Sequence, residues 1–267
     1  MAEIYRHFSR IAPRYRRVRT TDSQLISYLA AKLKNSTEII AADVGCGTGR
    51  YDVSLFEAFG DRLRLFCLDQ NANMLRELIR NLKSHRINRF QALRASAGDL
   101  PLFANSLDNI FTFNAVHHFR LFAFLGEAAR VLKSAGHLFI YTRLRSQNRR
   151  NIWGQFFPRF HEKEIRLYEL DELMKMMEKT PALDLAAVKK FKYQRTANLE
   201  WLVAQARHHH YSTFYLYGKQ EFEEALQEFQ ENIVSHFEDP NHVSWVDENI
   251  MFVAQKNVCG NNDLPSV

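Results

Sequence analysis

Residues 43–49 are Asp-Val-Gly-Cys-Gly-Thr-Gly, and they follow an apolar run at residues 39–42. The apolar run predicts a buried strand, and the segment after the glycines has the apolar spacing of a helix. Three glycines between a strand and a helix let bare backbone and the positive helix end meet a ligand. The stretch therefore predicts a strand–loop–helix unit that binds a small polar molecule.

The spacing of these glycines narrows the choice of ligand. A dinucleotide-binding fingerprint, G-x-G-x-x-G, would need its third glycine at position 50, where this chain has Arg50. Here the third glycine is Gly49, and an acidic residue, Asp43, opens the loop. This pattern resembles the first motif of the class I S-adenosylmethionine-dependent methyltransferases. The resemblance implies S-adenosylmethionine as the cofactor.

Motifs farther along the chain follow in the order that this family would require. A second predicted strand, residues 63–68, ends at Asp69, and an acidic side chain there can accept hydrogen bonds from both ribose hydroxyls. Residues 98–108 resemble the "D-L-P-F … S-F-D" stretch of a subfamily that includes the ubiquinone and menaquinone C-methyltransferases. Residues 130–138, Arg-Val-Leu-Lys-Ser-Ala-Gly-His-Leu, are similar to that subfamily's R-V-L-K-P-G-G-x-L. The resemblance covers about residues 36–142.

Alternating strand and helix patterns by themselves predict a doubly wound α/β sheet. The resemblance adds the Rossmann-like methyltransferase fold: seven mostly parallel strands in the order 3-2-1-4-5-7-6, with a helical cap. The first strand (39–44) should be central, and the last (250–255) should run antiparallel between the fifth and the sixth (183–191). A helix is expected over residues 219–236.

The resemblance also assigns the cofactor site. Gly45 and Gly47 would let backbone approach the methionine moiety, while Asp43 would orient its amino group, directly or through water. Asp69 would hold the ribose, and its replacement should weaken cofactor binding with little change in global stability. The expected cofactor-binding residues are Tyr15, Arg19, Asp43, Gly45, Cys46, Gly47, Gly49, Asp69, Gln70, Met74, Asp99, Leu100 and Asn114.

The resemblance assigns the adenine end of the site to residues that follow the second and third strands. Met74 and Leu100 would flank the adenine ring, and Asp99 would accept a hydrogen bond from its exocyclic amine. At the methionine end, the N-terminal segment resembles the "Y-D-x-x-R" stretch of small-molecule methyltransferases, which folds over the cofactor. This resemblance places Tyr15 and Arg19 near the methionine moiety, where a guanidinium can bind a carboxylate.

Charge is concentrated at the N-terminus. Residues 1–20 hold six arginines and one glutamate, so the rest of a chain with formal net charge +6 carries only +1. A broad nucleic-acid-binding face would leave more positive charge there. A mitochondrial transit peptide and a phosphate-contacting arm remain open alternatives for this segment beside the cofactor-covering role.

Methyl transfer is an in-line displacement, so no catalytic triad is expected. The protein must hold the acceptor about 3 Å from the methyl carbon, exclude water and remove a proton from the acceptor. His118, just after the fourth strand, is the first candidate for the proton acceptor, followed by His117 and Tyr211; adjacent histidines should not both face the cavity easily. Histidines 208–210 in an extended segment would point to alternate faces, so no metal site is expected.

A single domain is expected for the 267 residues. Its core would comprise residues 36–142, 166–191 and 244–256, and its cap over the acceptor residues 1–20, 143–165 and 192–243. No apolar run approaches the roughly 20 residues that span a bilayer, and the three cysteines show no paired spacing. We therefore expect a cytoplasmic protein in a reducing compartment.

Three classes of function follow. A small-molecule methyltransferase agrees best with the subfamily resemblance and with the aromatic residues of the cap. An RNA methyltransferase, acting on tRNA, is the alternative acceptor class, and a binding protein that has lost turnover is the third. The identity of the acceptor and the oligomeric state stay open.

Overall fold

The structure, a computed structural model, describes residues 22–258. Tyr15, Arg19 and the whole of the expected cap segment 1–20 lie outside the described residues. The strands are β1 (Ile39–Val44), β2 (Leu63–Asp69), β3 (Phe90–Arg94), β4 (Leu107–Phe113), β5 (Leu132–Thr142), β6 (Leu183–Ala197) and β7 (Val243–Lys256). The helices are α1 (Ser23–Lys32), α2 (Arg50–Phe59), α3 (Ala72–Ser84), α4 (Leu121–Val131), α5 (Arg145–Arg150), α6 (Ile152–Phe156), α7 (Phe160–Lys163), α8 (Leu170–Glu178), α9 (Leu199–Arg207) and α10 (Lys219–His236). Short 3₁₀ helices cover Gly60–Arg62, Val116–His118 and Ser212–Leu216.

The described strands form one seven-stranded sheet in the order β3-β2-β1-β4-β5-β7-β6. β1 pairs in parallel with both β2 and β4, and β7 pairs antiparallel with β5 and β6. The doubly wound, mostly parallel sheet is therefore confirmed, as are its strand order and its antiparallel last strand. β1 and α10 have the bounds that the sequence predicted.

Both faces of the sheet are covered by helices. In β5, Phe139 and Tyr141 join an apolar cluster with residues of α2 and α3, whereas Leu138 and Ile140 join a second cluster with residues of α4 and α8. Successive strand residues point to opposite faces, so the two clusters lie on opposite sides of the sheet. The carboxyl ends of the parallel strands are then where loops can meet a ligand.

The start of α3 is fixed by Asn71. Its side chain accepts hydrogen bonds from the backbone N–H groups of Asn73 (2.9 Å) and Met74 (3.3 Å). These bonds satisfy donors that have no partner inside the helix. Asn71 thus holds the first turn of α3 directly after β2, at the edge of the sheet where the loops converge.

The last two strands are longer than the sequence predicted. β6 was expected to end at residue 191 and β7 to begin at residue 250, but they pair from Leu183–Lys256 to Ala197–Val243, with one shift of register between Leu185 and Ala187. The extension carries polar side chains such as Arg195 and Asp247, which pair with each other instead of packing, so it lacks an apolar pattern. The connection between the strands is therefore residues 198–242 and not 192–243.

A third apolar cluster lies beyond the sheet. Residues of α6, α7, α9 and α10 build it, with the start of β7. Its centre is aromatic: Trp153 stacks on Phe229 with ring centroids 5.1 Å apart and meets Phe214 edge-on at 5.3 Å. Such pairs contribute beyond their buried area. The cluster gives the segments between β5 and β7 a packed core of their own.

Replacing Phe229 with alanine should lower the free energy of unfolding by about 3–5 kcal/mol, because it empties the centre of this third cluster. Phe229 is fully buried there. The matched control is Val234→Ala on the same helix, where the side chain is 56% exposed and the expected change is within about 0.5 kcal/mol. Chemical denaturation followed by tryptophan fluorescence measures both variants. If both substitutions changed the free energy of unfolding by the same small amount, the third cluster would add little to stability.

Candidate functional site

A cavity of about 990 Å³ opens at the carboxyl ends of β1, β2 and β4. One side of its wall, here called the strand side, comes from the glycine loop at residues 43–48 and the ends of these strands. The other, the helical side, comes from β6, β7 and the helices between β5 and β7. The helical side includes Arg143, Asn148, Trp153, Glu164, Arg195, Trp201, His210, Tyr211, Trp245 and Asp247.

Most of the expected site residues meet at this cavity. Its wall includes Asp43, Gly45, Cys46, Gly47, Asp69, Gln70, Met74, Asp99, Asn114, His117, His118 and Tyr211. Gly49 and Leu100 are not part of the wall: Gly49 precedes the first turn of α2, and Leu100 is buried, with its backbone N–H 2.7 Å from a carboxyl oxygen of Glu127.

The glycine loop leaves no room for a side chain at its first glycine. Gly45 has φ +78°, and a Cβ there would lie 2.6 Å from the Cβ of Ala115 and 2.9 Å from the ring of Phe119. Gly47 has φ +57°, and a Cβ there would meet no atom within 4 Å among the described residues. The loop therefore packs tightly on one side and presents bare backbone to the cavity on the other.

Asp69 holds this loop in place. One carboxyl oxygen accepts a hydrogen bond from the N–H of Gly47 (3.0 Å), and the other accepts one from the N–H of Asn71 (2.7 Å). Burial raises the pKa of Asp69, and these two hydrogen bonds act in the opposite direction. Asp69 was expected to contribute little to stability, but its removal would leave two backbone donors without an acceptor, so we now expect a loss of stability as well.

Asp43 supplies an unpaired acceptor at the cavity wall. Its side chain is buried, and one carboxyl oxygen has no hydrogen-bond donor among residues 22–258. Burial, followed by the nearby carboxyls of Asp52 and Asp69, raises the pKa of Asp43 well above its usual range. An unsatisfied buried acceptor is costly unless a ligand provides a donor. With the bare glycine backbone beside it, the wall fits the charged amino group and the methionine chain of S-adenosylmethionine.

His117 and His118 both line the cavity, although two adjacent histidines were not expected to face it together easily. They form the end of the 3₁₀ helix that directly follows β4, and their ring centroids are 4.0 Å apart. A 3₁₀ turn does not alternate side chains between two faces as an extended strand does. Both rings can therefore reach the same space.

The histidines at 208–210 are not extended, so that expectation is also wrong. α9 continues to Arg207, His208 ends it, and His209 adopts a left-handed backbone with φ +48°. His210 is buried with its Nδ1 3.1 Å from the carbonyl oxygen of Gln205. This turn delivers Tyr211 to the cavity wall. No group of residues suited to hold a metal ion occurs in the described part of the chain.

A chain of alternating charges crosses the helical side, and sequence reasoning did not identify it. Arg143 donates to the Tyr211 hydroxyl (3.1 Å) and to Asp247 (3.0 Å). Arg195 donates to Asp247 (3.5 Å) and to Asp22, which also accepts from the hydroxyl of Tyr141 at 2.7 Å. The acidic neighbours of Arg143 and Arg195 raise the pKa of each guanidinium against the effect of burial. Each charge is therefore compensated by the next.

Comparison with known proteins supports one family. The family described as "Methyltransferase domain" matches residues 42–140. The demethylmenaquinone methyltransferase of Oceanobacillus iheyensis is 34% identical over 70 residues, which are 26% of this chain and 29% of that protein. The match thus spans less than a third of that relative's length.

Solved structures share the fold over most of the chain. A protein described as a methyltransferase from an antibiotic biosynthesis pathway of Anabaena variabilis has 19% identity and a TM-score of 0.66, covering 88% of this chain and 98% of its own. The geranyl diphosphate C-methyltransferase of Streptomyces coelicolor, solved with S-adenosyl-L-homocysteine, has 14% identity and a TM-score of 0.52, covering 87% and 78%. These likenesses show the Rossmann-like methyltransferase fold. Within the described residues, no helix is long and apolar enough to cross a membrane.

Replacing Asp69 with alanine should weaken S-adenosylmethionine binding at least tenfold, because hydrogen bonds to a carboxylate contribute roughly 1.5–3 kcal/mol each. Unlike a residue that only contacts the ligand, Asp69 also holds the loop, so unfolding free energy should fall by about 1–3 kcal/mol. Calorimetry and chemical denaturation measure the two effects. The control is Asp61→Ala, on the turn before β2. Unchanged affinity in Asp69→Ala would remove Asp69 from the cofactor site.

Proposed function

We propose that this chain, whose residues 42–140 match the family described as "Methyltransferase domain", transfers a methyl group from S-adenosylmethionine to a small-molecule acceptor. The observation that carries the proposal is the cavity, which joins the glycine loop to a wall of polar and aromatic side chains. Its volume of about 990 Å³ is at the upper end of the roughly 300–1,000 Å³ typical of small-ligand sites. Such a space suits a cofactor together with a small second molecule.

The strand side would hold the cofactor. Asp69 would accept hydrogen bonds from the ribose, Asp43 would pair with the amino group, and the backbone at Gly45 and Gly47 would contact the methionine chain. When bound, S-adenosylmethionine supplies a methyl group that is already activated toward a nucleophile. The residues of the chain then have to orient the acceptor, keep water out and take up its proton. His118 is our first candidate for that last task.

The helical side would act as the cap over the acceptor. Its charged groups pair with one another. Recognition of the methyl acceptor would therefore depend on polar groups that still lack a hydrogen-bond partner. The backbone N–H of Gly154 donates to the Asn151 oxygen (2.8 Å), and the Asn151 amide nitrogen donates to the Asn148 oxygen (3.1 Å). This sequence of donors fixes the orientation of both amides. The amide nitrogen of Asn148 is left without an acceptor among residues 22–258.

A buried N–H group of this kind favours a methyl acceptor that carries an oxygen atom. Asn148 is 3% exposed and belongs to the cavity wall, so an oxygen of the acceptor could satisfy its amide after a small adjustment. A hydroxylated or quinone-like ring would provide such an oxygen and would pack against the aromatic side chains of the same wall. The relative that methylates demethylmenaquinone supports the same choice.

Binding and turnover can be tested in turn. Calorimetry with S-adenosylmethionine comes first, and no binding at millimolar cofactor would exclude both enzyme classes. A screen of hydroxylated aromatic acceptors with methyl-labelled cofactor then tests the acceptor class. Affinity for tRNA that falls steeply with salt would instead support the RNA methyltransferase alternative. Binding without labelled product from any acceptor would favour a protein that has lost turnover.

His118→Ala should lower the turnover rate at least tenfold and leave cofactor affinity nearly unchanged. A positioned base commonly contributes 10²–10⁴-fold to the rate, and His118 lies at the cavity wall rather than within the loop that holds the cofactor. The matched control is His208→Ala, an exposed histidine outside the wall. Single-turnover kinetics and calorimetry separate the two effects. A His118→Ala rate equal to that of the control would rule out His118 as the base.

A further inference from the structure

Among the described residues, four arginines belong to the wall of the cavity: Arg50, Arg120, Arg143 and Arg195. The ion pairs with Asp22 and Asp247 already compensate the charges of Arg143 and Arg195. Arg50 and Arg120 form no ion pair within residues 22–258. Of these two, Arg50 is the first residue of α2 and comes just after the glycine loop. It is therefore an uncompensated positive charge beside the expected methionine end of the cofactor site.

The side chain of Arg50 is held by an aromatic stack. Its guanidinium carbon lies 4.3 Å from the centre of the Tyr51 ring. That ring stacks on Phe113 with centroids 4.4 Å apart, and its hydroxyl donates to Asp22 at 3.4 Å. A guanidinium over an aromatic face is attracted by the ring and can still use the N–H groups along its edge. Arg50 is thus held at the cavity wall with donors that can bind an anion.

Thr48 provides a second polar group at the same end of the loop. Its side chain is 3% exposed, its hydroxyl has no hydrogen-bond partner among residues 22–258, and the residue belongs to the cavity wall. The amide nitrogen of Asn81 holds the backbone here, because it donates to the carbonyl oxygens of Thr48 (3.0 Å) and Gly49 (3.3 Å). A buried hydroxyl without a partner is costly, and an acceptor oxygen on a ligand would remove that cost.

The start of α2 favours the same kind of ligand. The first N–H groups of a helix have no acceptor inside it, and Gly49 has no side chain that could cap them. Asp52 lies in the first turn, but neither of its carboxyl oxygens has a hydrogen-bond partner in the described part of the chain. The positive end of the helix adds to the charge of Arg50. A carboxylate suits these groups best, because its two oxygens match the paired N–H groups of a guanidinium.

We propose that Arg50 and Thr48 bind the carboxylate of the methionine moiety of S-adenosylmethionine. The inference rests on the proposed function, because it requires this cofactor at the cavity wall. The carboxylate and the amino group that Asp43 would bind are attached to the same carbon atom, so both lie against one short stretch of the loop. Asp43 begins that stretch and Arg50 follows its end. The contact that the family resemblance assigns to Arg19 thus falls to Arg50.

The test compares S-adenosylmethionine with decarboxylated S-adenosylmethionine, which keeps the amino group and the sulfonium but lacks the carboxylate. Calorimetry measures the dissociation constants of both ligands for the parent and for Arg50→Gln. The parent should prefer the intact cofactor at least tenfold, because charge-assisted pairs of this kind are the strong hydrogen bonds of proteins. In Arg50→Gln the preference should fall to about threefold or less, and the affinity for the decarboxylated ligand should not fall.

Thr48→Val removes the hydroxyl and keeps the branched shape of the side chain. It should lower the preference for the intact cofactor about threefold. Because the hydroxyl has no partner among the described residues, the free energy of unfolding should stay unchanged or rise, as chemical denaturation can measure. The control is Arg80→Gln on α3, where the side chain is 72% exposed and outside the wall; it should match the parent in both measurements.

Three results would overturn the inference and leave the proposed function standing. They are a parent that binds both ligands equally, an Arg50→Gln variant that loses affinity for both alike, and a preference that persists in Arg50→Gln. If Arg19→Gln or Arg120→Gln removed that persisting preference, the carboxylate would belong to that guanidinium instead. A Thr48→Val variant with the full preference of the parent would remove the hydroxyl from the site. A parent that binds neither ligand overturns the proposed function as well.

Discussion

The carboxylate of Asp69 is the interaction on which the site depends. It accepts one hydrogen bond from the loop after β1 and one from the residue before α3, so it ties two strand ends and a helix start together. The carbonyl oxygen of Leu68 adds two more bonds, from the N–H groups of Gly45 (2.7 Å) and Cys46 (3.1 Å). All of these contacts come from the chain itself, so the protein's own hydrogen bonds hold the backbone of the glycine loop in place.

The opposite wall of the cavity is built by a different principle. The strand side relies on backbone and unsatisfied carboxyls, whereas the helical side relies on charges that neutralise one another. Arg143 and Arg195 share Asp247, and Arg195 continues to Asp22. Breaking such a chain at one member leaves an uncompensated buried charge, which is strongly unfavourable. The helical side is therefore a wall of paired charges in which the amide nitrogen of Asn148 is still without an acceptor among the described residues.

The sequence predicted the strand side well because its motifs describe local geometry. A glycine with positive φ and an acid at a strand tip are each set by a few neighbouring residues. The extension of β6 and β7 was missed because polar pairs such as Arg195 and Asp247 replace the apolar alternation that marks a strand. The turn at His209 was missed because nothing in three consecutive histidines shows that a helix ends there.

The sequence by itself determined the sheet and the glycine loop: alternating strand and helix patterns predicted the doubly wound sheet, and the family resemblance carried by the motifs between residues 36 and 142 implied the strand order. Only the tertiary structure decided which side chains face one another across the cavity. Asp22 and Arg195 are 173 positions apart, and Arg143 and Tyr211 are 68 apart. Local conformational preferences act over a few residues, whereas these pairings depend on how whole strands and helices pack.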